Sequence, residues 1–146
     1  MENSFKAEIL DIRQPEDKKI IDVLLNDKSI QKFDTLYSQL EELMKIKFPA
    51  VNFSAAEMDE AIQTHLQGKR LEDYGLWIFY PWSNRLVRTL YEEEFVSVRT
   101  NRNQLKITKE EQDILRSKTV GIIGLSVGQS IALTMAMERI CGTIKL

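Results

Sequence analysis

The residues best suited to chemistry lie around a short glycine-containing turn late in the chain. Gly124, Ser126 and Gly128 stand in Gly-Leu-Ser-Val-Gly, directly after the apolar run at 119–123. Small residues there permit a tight turn and let main-chain N–H groups come close to a ligand. The first amides of a following helix add partial positive charge, so the ligand such a turn favours is a phosphate. Upstream, Arg99 and Arg102 in Arg-Thr-Asn-Arg are permanently charged and present forked donors that match phosphate oxygens. Their plainer use is to pair with Glu92, Glu93 and Glu94 on a solvated face, which is worth little.

Two further residues invite a chemical reading. His65 is the only histidine. With no second histidine and no carboxylate pair beside it in sequence, it reads as a partly buried helical histidine, not as a catalyst or a metal ligand. Cys141 is the only cysteine, which rules out an internal disulfide and a Cys-x-x-Cys zinc site and makes a reducing, cytoplasmic setting the default. Next to a helix C-terminus it reads as a small core residue, not a nucleophile. No metal site is expected.

The elements that must hold these residues follow from the apolar pattern. Residues 119–123 suit a strand buried on both sides of a parallel sheet. A helix follows over 127–140, Gly142 sits where a left-handed C-terminal cap would be wanted, and a second strand begins at 143. This order, strand, glycine turn, helix, strand, is the opening βαβ unit of a nucleotide-binding sheet. A sheet of two strands cannot bury itself. The expectation is that the chain is the front of a longer protein whose remaining chemistry lies past Leu146.

Earlier in the chain, 7–12 reads as a strand and 15–26 as a helix opened by Pro15 and early acids. A second helix is expected over 29–47, since Ile30, Phe33, Leu36, Tyr37, Leu40, Leu43 and Met44 recur at three- and four-residue steps. Ser54-Ala-Ala-Glu57 is a capping box for a helix through 67 that buries Met58, Ile62 and Leu66. Residues 76–80 read as a central strand covered on both faces, and their aromatics as core in preference to a base-stacking platform. A strand at 85–90, an acidic helix or connector at 91–98, and a helix opened by the Thr108–Glu111 capping box complete the series. The fold class expected is an N-terminal α/β or α+β module over 1–97, followed by an incomplete nucleotide-binding unit over 98–146.

Composition sets outer bounds. The 146 residues are 43% apolar and 29% charged, ordinary for a globular chain, and the net charge of -2 argues against a general nucleic-acid binder. Residues 1–73 carry a balance of -5 and residues 74–146 one of +3, which favours the second half for an anionic ligand. There is no leader-like apolar stretch at the N-terminus and no run long enough to span a bilayer, so a soluble protein without membrane partners is expected.

The ordered blocks Arg99-Thr-Asn-Arg-Asn-Gln, Lys-Glu-Glu-Gln112-Asp-Ile-Leu115, Ser-Lys-Thr-Val-Gly-Ile-Ile-Gly124 and Cys-Gly-Thr-Ile-Lys-Leu146 resemble the entry region of the ThiF/MoeB/E1-like superfamily. The resemblance covers about 98–146. It implies a Rossmann-like sheet and an ATP- and magnesium-dependent adenylyltransferase that activates the C-terminal carboxylate of a ubiquitin-like or sulfur-carrier protein, acting as a homodimer. On that resemblance Arg102 would be catalytic, reaching the ATP phosphates of a partner subunit, and Arg99, Gly124, Ser126 and Gly128 would bind the nucleotide. Gly124 matches the family's first glycine, Ser126 stands where a glycine is usual, and Gln129 falls where the third is expected, with Gly128 one residue away. The alternative is that the chain is a non-catalytic docking or dimerisation module, since a helix apolar over most of its circumference needs covering on two sides.

Overall fold

Strand β1 (Glu8–Asp11) leads into helix α1 (Pro15–Asn26), whose first turn carries Pro15, Glu16 and Asp17. The computed structural model describes residues 5–101 and 106–146, and the chain divides into two compact units, Met1–Phe95 and Val96–Leu146. It is a mixed α/β protein.

Helix α1 ends at Asp27, whose Oδ1 accepts from the Ser29 amide at 2.8 Å. The chain then forms a strand, β2 (Gln31–Asp34), and helix α2 begins only at Leu36 and runs to Lys47. This corrects the single helix expected over 29–47. Ile30, Phe33 and Leu36 sit at helical spacing, yet β2 pairs in parallel with β4 (Arg85–Thr89). Asp34 Oδ1 then accepts from the Leu36 amide at 3.1 Å and starts the helix there. Tertiary pairing outweighs a local period of this length.

Strand β3 (Leu76–Tyr80) lies inside a four-stranded sheet of order β1-β3-β4-β2, antiparallel to both β1 and β4. Leu10, Trp77 and Leu86 cluster on one face with Ile21 and Ile30. Alternation sends Ile9, Ile78, Val87 and Phe33, aligned across all four strands, to the other face. Ile9 is 66% and Phe33 44% exposed at the two edges of this row, whereas Ile78 of β3 and Val87 of β4, at its centre, are half-buried. Helix α3 (Ala55–Leu66) opens with the expected capping box and buries Met58, Ile62 and Leu66. It packs with α2, which buries Leu36, Leu40, Leu43 and Met44, each such side chain contributing about 1.5–3 kcal/mol. Gln39 ties α2 to the sheet. Its Oε1 accepts from Thr89 Oγ1 at 2.7 Å and from the Leu90 amide at 3.0 Å, while its Nε2 donates to Thr35 Oγ1 at 2.9 Å.

Helix α4 (Glu92–Thr100) crosses the division between the units. In the second unit α5 (Lys109–Arg116) carries its Thr108–Glu111 capping box. It is followed by β5 (Thr119–Gly121), helix α6 (Gly128–Glu138) and β6 (Thr143–Lys145), parallel to β5 with Val120 opposite Ile144. β5 is shorter than its apolar run, and Ile123 is 103% exposed. The double-sided cover expected for this strand is absent among the described residues. Arg139, at φ 53, provides the left-handed cap of α6, correcting the assignment of that role to Gly142.

Gly142 has a different task. Its N–H donates to the Lys118 carbonyl at 3.0 Å, and a Cβ there would stand 1.9 Å from the Arg116 carbonyl oxygen. The backbone before β5 and the backbone before β6 meet where no side chain fits. Gly142→Ala is therefore expected to destabilise the second unit by about 1–3 kcal/mol. Amide hydrogen exchange should read this as about tenfold or faster exchange at Ile122, whose amide donates to the Lys145 carbonyl at 2.8 Å, with Leu86 and Leu90 unchanged. Unchanged exchange at Ile122 would contradict the contact.

Candidate functional site

The glycine turn forms as a unit. Gly124 has φ +85, a backbone conformation that side chains resist, and open space where a Cβ would point. At Gly128 a Cβ would lie 2.8 Å from Ile122 Cγ2, so this glycine lets the start of α6 approach the strand end closely. Ser126 is exposed between them. Two of the three tasks glycines perform in a nucleotide turn, the sharp turn and the close helix–strand approach, thus fall to Gly124 and Gly128. Ser126 stands at the position between them. Arg99 lies in the last turn of α4, exposed, with α5 and β5 between it and the turn in sequence. Arg102 lies outside the described residues. Cys141 is half-buried.

A second constellation, in the first unit, surrounds His65. Nε2 of His65 is 2.7 Å from Glu94 Oε1, and Tyr74 Oη donates to the same oxygen at 2.7 Å. Nζ of Lys47, the last residue of α2, lies 3.0 Å from His65 Nδ1. An ammonium only donates, so Nδ1 accepts and the ring carries its proton on Nε2, toward Glu94. The side chains of His65 and Glu94 are 15% and 19% exposed. Glu94 Oε2 is buried without a hydrogen-bond partner. The Tyr91 ring meets Tyr74 edge-on with centroids 4.9 Å apart, and the Arg13 guanidinium lies 4.3 Å over the Tyr91 ring. Arg13 also pairs with Asp11 and holds that carboxyl below the usual range.

Burial, then the hydrogen bond to Glu94, pushes the Tyr74 phenol above the ordinary tyrosine range. Burial raises Tyr91 as well, with Arg13 pulling the other way. Both rings are held neutral beside the carboxylate.

Arg88 supports this arrangement from below. It is buried, donating through Nη1 to Asp34 Oδ2 at 3.0 Å and through Nη2 to the carbonyls of Leu71 and Tyr74, the latter at 3.1 Å. Its Cζ is 5.6 Å from the centre of the Trp77 ring.

Sequence reading treated His65 as a structural helical residue and the run Glu92-Glu93-Glu94 as a solvated face. It missed that Glu94, 29 residues on, reaches the ring. One signal was available: Tyr91 and Glu94, three apart, share a helix face, so one acid of the three could point inward with an aromatic. Among the described residues no group of three His, Cys, Asp or Glu side chains could hold a metal ion, and no helix is long and apolar enough to cross a membrane.

The chain is 34% identical over 131 residues to Uncharacterized protein MT1398 of Mycobacterium tuberculosis (strain CDC 1551 / Oshkosh). The match covers 90% of this chain and spans 16% of that relative's length. No family model and no solved structure matches.

The raised Tyr74 phenol fixes the direction of a pH effect. A folded-state pKa above the unfolded value, about 10, means that the contribution is complete below that pH and is lost as pH rises through the folded value. Urea unfolding of the wild type should weaken between pH 9 and 11 more steeply than that of Tyr74→Phe. Parallel curves would show that the phenol is not sheltered as described.

Proposed function

We propose that this chain forms the opening part of a cytoplasmic, homodimeric adenylyltransferase of the ThiF/MoeB/E1-like kind, which uses MgATP to activate the C-terminal carboxylate of a ubiquitin-like or sulfur-carrier protein. The observation that carries this reading is the Gly124–Gly128 turn joining β5 to α6, with β6 returning parallel to β5. This order of strand, glycine turn, helix and parallel strand supports a Rossmann-like opening unit.

The turn fits a phosphate. Gly124 leaves open space where a side chain would stand, and α6, an 11-residue helix with no side-chain cap at Val127, begins at the same end. ATP would supply the adenylyl group and pyrophosphate as the leaving group. The turn amides would hold phosphate oxygens, and Arg99 and Arg102 would neutralise charge that builds on them. No described group fits magnesium, so its ligands are not assigned to these residues.

A second reading, a docking or dimerisation module without catalysis, is favoured by one observation. Ile131, Leu133 and Met137 on α6 are each more than half exposed. Leu133 and Met137, four apart, share one side of α6 and Ile131 stands on the other, and exposed apolar side chains of this size suit a partner surface.

Titration calorimetry of the full-length protein with ATP separates the two. The adenylyltransferase reading expects binding that weakens about tenfold, ~1.4 kcal/mol, in Arg102→Ala and is lost in Ser126→Asp, which sets a negative charge in the cradle. Equal heats in all three proteins would refute the assigned roles. Absence of any heat, together with concentration-dependent association in sedimentation, would favour the docking module.

A further inference from the structure

The order Lys47, His65, Glu94 has the form of a nucleophile, a base and a group that orients the base. Activation of a weak nucleophile needs a base within hydrogen-bond reach and a third side chain that fixes the base's ring and tautomer. Lys47 Nζ to His65 Nδ1 is 3.0 Å, and His65 Nε2 to Glu94 Oε1 is 2.7 Å. Tyr74 donates to the same Glu94 oxygen and keeps the carboxylate in place. Glu94 Oε2 is buried with no hydrogen-bond partner, so the carboxylate has acceptor capacity to spare for an imidazolium. The ring and carboxylate are sheltered, whereas Lys47 is exposed at the end of α2 and open to a partner. An exposed lysine–histidine contact adds little to stability, so folding alone gives no strong reason for it.

We propose that Lys47 is an acyl-accepting nucleophile, with His65 as its general base and Glu94 positioning the imidazole; the substrate class is an activated carboxylic acyl group, such as an acyl phosphate or an activated ester. The neutral fraction of Lys47 attacks the carbonyl carbon. As the C–N bond forms, the nitrogen becomes acidic and His65 Nδ1 takes its proton. The bond from the carbonyl carbon to the leaving-group oxygen breaks, and its electron pair departs with that oxygen. The imidazolium, held by Glu94, then passes the proton to the leaving group or to water, and the product is an amide on Lys47. Nothing is oxidised or reduced. The step needs only an activated acyl donor and does not depend on the ATP reading of the glycine turn.

The groups that face His65 define how pH acts. Lys47 comes from α2, Tyr74 from the segment before β3, and Glu94 from α4, where Tyr91 backs Tyr74 under the Arg13 guanidinium. Protonation of the ring at Nδ1 removes the acceptor for Lys47 and sets two cations side by side. Base catalysis is therefore expected to be lost once the ring carries both protons.

The test uses p-nitrophenyl acetate on the full-length protein at pH 7.5, with peptide mapping to read the rate at each lysine. Lys47 is expected to acetylate about tenfold or more faster than Lys45 on the same helix, a conservative fraction of what a positioned base supplies. In His65→Gln the two rates should agree within about twofold. In Glu94→Gln the Lys47 rate should fall part of the way, with the bend in its pH profile displaced. If either variant fails to fold, the wild-type ratio of Lys47 to Lys45 rates, followed from pH 5 to 8, decides instead: it should collapse at the acid end. A ratio near one at pH 7.5, a ratio flat with pH, or a fast Lys47 in folded His65→Gln would each overturn the proposal.

Discussion

A buried guanidinium holds the first unit together. Arg88 sits in β4 with almost no solvent contact, a position that is costly unless its donors are met. Asp34 of β2, the Leu71 carbonyl and the Tyr74 carbonyl meet those on Nη1 and Nη2, while Nε is buried without a hydrogen-bond partner. One side chain therefore anchors the edge strand and the segment that leads into β3. Tyr74 is bound at both ends as a result, its carbonyl to Arg88 and its hydroxyl to Glu94. Contacts run on from Tyr74 to Glu94, from Glu94 to His65 and from His65 to Lys47. Gln39 does complementary work, accepting from the Thr89 hydroxyl and the Leu90 amide as the strand leaves the sheet.

The two units solve the burial problem differently. In the first, α2 and α3 close on each other and α1 covers one face of the sheet, leaving the Ile9, Ile78, Val87, Phe33 row on the other. In the second, Gly128 is the one buried residue of the two parallel strands and α6, and large apolar side chains of the turn and helix stay exposed. Parallel pairs are ordinarily covered on both faces. In the β5–β6 unit main chain meets main chain closely at Gly142, and the start of α6 approaches the Ile122 side chain at Gly128.

Much of the fold was legible because the signals were local. Both capping boxes, the Pro15 helix start, the Met58, Ile62, Leu66 stripe and the strand at Leu76–Tyr80 depend on neighbours within a few residues, and such signals survive folding. β2 was not legible. Its four residues carry a three-step apolar pattern that only pairing with β4 overrides. Gly142 was misassigned for a similar reason: a glycine after a helix usually caps it, but here Arg139 adopts the left-handed conformation and Gly142 is needed by the Arg116 carbonyl, a contact made by the return of the chain. The glycine turn was visible as a motif. The His65 constellation was not, because its members come from four separate segments and lone charged residues give no sign of which one turns inward.

The ring of His65 joins the sheltered carboxylate to the exposed amine, so its proton placement is the decisive fact. Long-range nitrogen–proton correlation spectra of the imidazole at pH 7.5 report it directly. Donation from Lys47 to Nδ1 requires a neutral ring with Nε2 protonated and Nδ1 bare, and loss of the bare-nitrogen signature on acidification. A ring protonated on Nδ1 at neutral pH, or one that averages the two tautomers as a free histidine does, would contradict both the tie to Glu94 and the chemistry drawn from it.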